Sequence, residues 1–223
     1  SCVALPTNQP VAPQRNQGEL MRKTNREQPF HPIYHYAVVA DAQEGLVLVN
    51  VDTFSDGDPL NNQLRRALTW NPQGRLSGAR HIVLGGHLAY VTVPEGLHII
   101  DLDDPLKPRL LAFVPLPDAR ASALQFRYLY VTTSRGLEVV DVTHAAQPRL
   151  LPTRVALTQA HRVYLARTYA YVAAGAQGLA IVDIEKADAP RLHQRFDADG
   201  QLRDARDVVV ASTNASLFAY VAD

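Results

Sequence analysis

The sequence predicts an all-β fold, a β-propeller built from four-stranded antiparallel blades. The first observation is an internal repeat: a pair of apolar runs with a glycine between them recurs along the chain. The glycines are Gly45, Gly96, Gly136 and Gly178, at intervals of 51, 40 and 42 residues. The second is that each repeat divides into short runs of Val, Ile, Leu, Tyr and Phe separated by Gly, Pro, Asp and Ser. The third is that apolar residues never recur at helical spacing. A period of about 40–45 residues with short strands is typical of propeller blades.

Each repeat contains four strand-like runs. The first runs are 80–84, 122–126, 161–165 and 206–210. The second are the Ala-Tyr-Val runs, and the third are the Gly-Leu-x-Ile-Val-Asp runs. The fourth follow Pro-Arg-Leu at 110–114, 150–155 and 192–196, and in the first repeat residues 60–70 align with this outer strand. A final repeat stops after its second run at Asp223. The sequence therefore predicts about four and a half blades.

The repeated turn residues have physical reasons. Gly45, Gly96, Gly136 and Gly178 are predicted to close the tight turn between the second and third strands with a positive φ. Asp101, Asp141 and Asp183 end the third strands, where a carboxylate can accept backbone N–H groups of the next turn. Calcium binding by these carboxylates is the alternative, but they recur once per blade and need not converge on one ion.

The composition excludes several function classes. Lys and Arg number 22, Asp and Glu also number 22, and the sequence pI is about 7.1, which gives no electrostatic reason to expect nucleic-acid binding. The sequence contains no apolar run of the ~20 residues that a transmembrane segment needs. The single cysteine, Cys2, excludes an internal disulfide framework. The sequence also lacks the Gly-x-Ser-x-Gly motif that would indicate a nucleophilic serine. We predict no catalytic residues, no cofactor and no nucleic-acid partner.

The repeated pattern resembles the LVIVD-repeat family of β-propellers. The signature is found at Leu46–Asn50, Leu97–Asp101, Leu137–Asp141 and Leu179–Asp183, and the resemblance covers roughly residues 36–223. It implies a secreted, periplasmic or surface protein of bacteria or archaea. Some relatives occur beside multihaem cytochromes, so the resemblance also implies association with cytochrome-type or surface proteins. The sequence itself has no Cys-x-x-Cys-His motif for covalent haem.

The chain is predicted to have two parts. Residues 1–30 are rich in Gln, Asn, Pro and Arg and are expected to form an extended or disordered extension. Residues 31–223 hold the blades, and the last blade is truncated, so we expect the sequence to be an excerpt of a longer protein. Cys2 after Ser1 is compatible with a lipid anchor, while a linker from an upstream domain is equally compatible with the first residues.

The candidate site is the mouth of the central channel, which the first strand of each blade lines in a propeller. The residues predicted there are Arg80, His81, Ser122, Ala123, His161, Arg162, Arg206 and Asp207. Clustered Arg and His side chains can hold an anionic ligand or the carboxylates of a partner. The alternative is that these polar residues simply face a wet channel.

The histidines give no metal motif. His31 and His35 are four residues apart, but their segment reads as extended, so the two side chains need not share a face. We therefore predict no metal site. The leading hypothesis is a non-enzymatic propeller that acts as a protein-interaction or scaffold module outside the cytoplasm. The alternative is an enzyme or ligand-binding propeller with its site at the channel mouth.

Overall fold

The computed structural model of the protein describes residues 1–6, 31–52, 59–60, 62–213 and 216–223. These residues form antiparallel sheets, together with two short 3-10 helices at Pro32–His35 and Pro72–Gly74. The predicted all-β class and the four-stranded antiparallel blades are confirmed. Of the predicted extension, residues 7–30 lie outside the described residues.

The strands follow the chain order within each sheet. Blade 1 is β1 (Cys2–Ala4), β2 (Tyr36–Asp41), β3 (Gly45–Asn50) and β4 (Arg65–Trp70). Blade 2 is β5 (His81–Gly85), β6 (Leu88–Val93), β7 (Gly96–Asp101) and β8 (Arg109–Pro115). Blade 3 is β9 (Ala121–Gln125), β10 (Tyr128–Thr133), β11 (Gly136–Asp141) and β12 (Arg149–Ala156). Blade 4 is β13 (Val163–Ala166), β14 (Tyr169–Ala173), β15 (Leu179–Asp183) and β16 (Arg191–Phe196). The terminal hairpin is β17 (Asp207–Ser212) and β18 (Leu217–Ala222).

The first strand of blade 1 comes from the N-terminal residues. Cys2, Val3 and Ala4 pair with Ala40, Val39 and Val38 of β2 in an antiparallel ladder. Residues 2–4 thus have the place in blade 1 that β5, β9 and β13 have in the later blades. Blade 1 accordingly has four strands although its repeat contains only three strand-like runs.

The contacts divide the described chain into two compact units. Unit 1 comprises residues 1–91 and 99–111, and unit 2 comprises residues 92–98 and 112–223. Unit 2 holds blades 3 and 4 and the terminal hairpin, and it contains two apolar clusters. In β15, Ala180 and Val182 pack with Val139 of blade 3, whereas Leu179 packs with Val208 of the terminal hairpin. Because both faces of such a strand are buried, the third runs read as nearly continuous apolar stretches.

The glycines at the starts of the third strands differ in why a glycine is needed there. Gly45, Gly136 and Gly178 have φ values of +81°, +120° and +68°, as predicted for this turn. For Gly96 the prediction of a positive φ is wrong, since its φ lies outside the left-handed region. Gly96 is instead required by close approach, because a Cβ there would lie 2.2 Å from the carbonyl oxygen of Val114 in β8.

Candidate functional site

A buried alanine followed by a basic or imidazole side chain marks the start of each first strand from blade 2 onward. The four pairs are Ala79-Arg80, Ala119-Arg120, Ala160-His161 and Ala205-Arg206. Each alanine is at most 1% exposed. The small buried side chain lets the backbone pass close to the core, and the next residue then extends outward. Arg80 and His81 belong to unit 1, whereas the other three pairs lie in unit 2 and are described together below.

Buried threonine hydroxyls fix the strand starts within unit 2. Thr132 of β10 is fully buried, and its Oγ1 accepts the Ala121 N–H at 3.0 Å and donates to the His161 carbonyl oxygen at 2.6 Å. Thr92 Oγ1, also fully buried, donates to the Arg120 carbonyl oxygen at 3.0 Å. These bonds satisfy backbone groups of residues 120, 121 and 161, and they fix the backbone from which the side chains of residues 120 and 161 extend.

The Arg120 side chain joins blades 3 and 4 by hydrogen bonds. Its Nε and Nη2 donate to Asp118 Oδ2 at 2.9 and 2.7 Å, and its Nη1 donates to the Ala160 carbonyl oxygen at 2.9 Å. Arg120 was not among the predicted site residues, because the apolar runs align Ser122 and Ala123 with Arg80 and His81. Matching the buried alanines shows that Arg120 is the equivalent of Arg80. A direct signal existed, since Asp-Ala-Arg occurs at both 118–120 and 204–206.

Arg206 and His161, two residues predicted for the channel mouth, are in contact. One guanidinium nitrogen of Arg206, Nη2, pairs with Asp204 Oδ2 at 2.8 Å. The other, Nη1, lies 3.3 Å from His161 Nε2. Burial lowers the pKa of His161 below its ordinary value of 6.5, and the positive charges of Arg206 and Arg120 lower it further. The imidazole is therefore neutral at physiological pH, and its Nε2 is able to accept from Arg206.

Arg162 and Asp207 complete the group. Arg162 Nε lies 3.8 Å from Asp207 Oδ2, and both side chains are partly exposed. Each of the three arginines of unit 2 at this place thus has a carboxylate neighbour, namely Asp118 for Arg120, Asp207 for Arg162 and Asp204 for Arg206. The sequence predicted a group of Arg and His side chains with Asp207, and the structure places a carboxylate beside each of these three arginines. We call this group, residues 118, 120, 161, 162, 204, 206 and 207, the paired-charge cluster.

The pKa of His161 is a direct test of this geometry. We expect NMR titration of its ring protons to give a pKa below 6.5, and Arg206→Ala to raise that pKa because the nearest positive charge is lost. In the wild type, a lowered pKa of His161 means that the unfolded chain binds more protons at this histidine than the folded chain. The free energy of unfolding should therefore decrease as the pH falls below 6.5. Arg195→Ala, an exposed position of β16, serves as the control and should leave the titration unchanged. A pKa at or above 6.5 would contradict the contact.

The aspartates that end the third strands fix the turns that follow these strands. In blades 2, 3 and 4 the Oδ1 of Asp101, Asp141 and Asp183 accepts the N–H two residues later at 2.9, 3.0 and 3.0 Å. Asn50 accepts the same bond in blade 1 at 2.8 Å. The second oxygen pairs with the arginine eight residues later, which is Arg109, Arg149 or Arg191. The backbone N–H of Glu185 and the Arg191 guanidinium hold the pKa of Asp183 below its ordinary value.

Cys2, His31 and His35, which the sequence analysis also considered, lie in unit 1. Cys2 lies within β1, where its Sγ is 4.0 Å from the Ile82 carbonyl oxygen, and its side chain is partly buried. His35 does not join His31, because its Nδ1 lies 2.6 Å from Asp52 Oδ2. None of the helices in the described part of the chain is long and apolar enough to cross a bilayer.

Comparison with a family model confirms the resemblance for two blades. The LVIVD repeat model matches residues 78–114 and 159–197, which are blades 2 and 4. These stretches contain the signature segments Leu97–Asp101 and Leu179–Asp183. Blades 1 and 3 have the same strand order and the same closing turn. No curated protein matches the sequence.

Solved structures share the fold at low sequence identity. A functionally unknown protein from Desulfotomaculum acetoxidans DSM 771 superposes with a TM-score of 0.61 at 10% identity, over 84% of this chain and 59% of that one. BamB from Moraxella catarrhalis gives 0.58 at 10% identity, over 84% and 52%. A chain of a nidogen/laminin complex gives 0.53 at 13% identity, over 78% and 64%. The chain thus spans less than two thirds of the length of each, and the likeness shows the β-propeller fold alone.

Proposed function

We propose that this chain, which contains LVIVD repeats on β-propeller blades, binds another protein through its paired-charge cluster and acts as a non-enzymatic interaction module outside the cytoplasm. The propeller fold supports a binding role, because it supplies rigid strands with loops at both of their ends. One of the structures with the same fold belongs to a nidogen/laminin complex. The location outside the cytoplasm rests on the resemblance to LVIVD-repeat proteins.

The observation on which the proposal depends is the environment of Arg206. Its side chain is 59% exposed, and among the residues that the structure describes a carboxylate pairs with Nη2 alone of its two terminal nitrogens. The other faces the His161 ring, which is neutral, so the charge of Arg206 is only partly compensated. Arg120 is different, since its side chain is 25% exposed and its nitrogens bind Asp118 and the Ala160 carbonyl. Compared with Arg120, Arg206 therefore has more capacity to donate to a new acceptor.

The cluster also indicates the kind of partner. Exposed arginines contribute more than most residues to protein interfaces, because the guanidinium binds a carboxylate with two parallel hydrogen bonds. The neighbouring carboxylates Asp204 and Asp207 can in turn accept from basic or amide groups of the partner. A group in which each arginine has a carboxylate neighbour matches a protein surface with mixed charges better than a small anion, for which a purely cationic pocket would be stronger.

The test is a binding experiment on the whole chain. A pull-down from periplasmic and membrane extract should recover a stoichiometric partner, whose affinity is then measured with purified proteins. We expect Arg206→Ala to weaken binding at least tenfold, which corresponds to about 1.4 kcal/mol. Arg195→Ala on β16 removes an exposed arginine of the same unit and should have little effect.

Two outcomes would contradict the proposal. Equal losses for Arg206→Ala and Arg195→Ala would place the interface elsewhere. The alternative of an enzyme or ligand-binding propeller would be favoured if small anions such as phosphate raised the melting temperature and His161→Ala removed that rise, with no partner recovered.

A further inference from the structure

Three side chains that are distant in the sequence meet in unit 1. They are His31, His87 and Asp103, and each offers one ligand atom within 4.8 Å of the other two. His31 precedes the 3-10 helix that leads into β2, His87 lies in the turn between β5 and β6, and Asp103 follows β7. Imidazole nitrogen and carboxylate oxygen are ligand types that Zn²⁺ prefers in proteins.

The distances suit a tetrahedral ion. His31 Nε2 and Asp103 Oδ1 are 3.2 Å apart. Two ligands that are each about 2.0–2.1 Å from a tetrahedral zinc ion lie roughly 3.3 Å from each other. The rings of His31 and His87 are nearly parallel, with an interplanar angle of 19° and centroids 5.9 Å apart. Because the three ligand atoms all lie within 4.8 Å of one another, they can approach one ion through small side-chain adjustments.

Backbone contacts hold each of the three residues in place. The Asp103 N–H donates to Asp101 Oδ1 at 2.9 Å, which fixes the residue in the turn after β7. The Leu102 N–H donates to the His87 carbonyl oxygen at 2.8 Å, so the two turns are joined directly. The Ile33 N–H donates to His31 Nδ1 at 3.2 Å, which leaves Nε2 facing Asp103. The turns that carry His87 and Asp103 are thus joined to each other, and His31 Nε2 already faces Asp103.

The surrounding charges favour a cation. Asp101 and Asp104 of the same turn are paired with Arg109 and Lys107. Asp103 is 69% exposed and makes its ion-pair contact with the imidazole of His31. Residues 101–109 thus contain three carboxylates and two basic side chains. His87 Nε2 lies 3.9 Å from Asp101 Oδ1, so a carboxylate stands beside the second ring as well, as it does around many zinc-bound histidines.

We propose that His31, His87 and Asp103 bind one Zn²⁺ ion, with a fourth position open to water or to a side chain of a partner. Binding at His31 Nε2 moves the ring proton to Nδ1, so the long hydrogen bond from Ile33 is given up. The sequence predicted no metal site because it offered only the pair His31 and His35, whereas the structure joins His31 to residues 87 and 103. The site is independent of the paired-charge cluster.

Titration calorimetry with zinc chloride on the full chain tests the site. We expect one zinc ion per chain and an affinity that falls at least tenfold in His31→Ala, His87→Ala and Asp103→Asn. The matched control is His144→Ala, which removes a histidine from the turn after β11 in unit 2 and should leave zinc binding unchanged. Since His87 and Asp103 lie in exposed turns, their variants should keep the wild-type circular dichroism spectrum.

Cobalt substitution provides a second readout. Co²⁺ bound by two histidines and a carboxylate should show d–d absorption without a sulfur-to-metal charge-transfer band, which would appear if Cys2 were a ligand. Absence of zinc binding, equal affinity in the three variants and the wild type, or a thiolate band would each overturn the proposal. A rise in melting temperature with zinc that disappears in Asp103→Asn would support it.

Discussion

Gly136→Ala is expected to lower the free energy of unfolding by about 3 kcal/mol or more. Gly136 begins β11 with a φ of +120°, a conformation that side chains disfavour. An added Cβ would also lie 2.1 Å from the Val155 carbonyl oxygen and 2.5 Å from the Leu157 nitrogen. Both neighbours are backbone atoms, one in β12 and one in the residue that follows it, so relief requires β12 to move away from β11. Urea denaturation followed by circular dichroism measures the loss.

The matched control for this substitution is Gly200→Ala. Gly200 also has a positive φ, at +79°, but a Cβ there would meet no atom within 4 Å. Its substitution should cost only the conformational strain, about 1 kcal/mol. The difference between the two variants therefore measures the steric contribution of the close strand approach. Similar losses at the two positions would show that β11 and β12 are less tightly packed at Gly136 than the structure indicates.

Much of the fold could be predicted because the repeat is a local signal. The runs around Tyr130 and Leu179, with their turn glycines and closing aspartates, state the strand order of each blade directly. The strand formed by Cys2–Ala4 could not be predicted, because its three residues have no pattern and pair with β2 across more than 30 residues. Gly96 shows a related limit, since the sequence cannot tell a glycine needed for its φ from one needed for close approach.

The candidate site was predicted only in part. His161, Arg162, Arg206 and Asp207 do lie together in unit 2. Their pairing with carboxylates was missed, because ion pairs depend on side-chain directions that strand runs do not specify. Arg120 was missed because the register was taken from the apolar runs and not from the buried alanines. The arginine eight residues after each closing aspartate, as in Asp183 and Arg191, could have been found from its constant spacing.

Thr132→Val should lower the free energy of unfolding by about 2 kcal/mol, although valine has nearly the same shape as threonine. The substitution removes the buried hydroxyl that accepts from the Ala121 N–H and donates to the His161 carbonyl oxygen. The buried Ala121 N–H and the partly buried His161 carbonyl oxygen would then lack this partner, and a buried group left unsatisfied costs about 1–3 kcal/mol. Thermal and urea denaturation measure the change.

Two further substitutions make the Thr132 test quantitative. Thr92→Val removes a single hydroxyl bond to the Arg120 carbonyl oxygen and should cost about 1 kcal/mol, half of the Thr132 effect. Thr168→Val, in an exposed turn, should stay within about 0.5 kcal/mol of the wild type. Because Thr132 also fixes the backbone of His161, Thr132→Val should shift the His161 ring resonances, whereas Thr168→Val should not. A neutral Thr132→Val variant with unchanged His161 resonances would mean that this hydroxyl does not join blades 3 and 4.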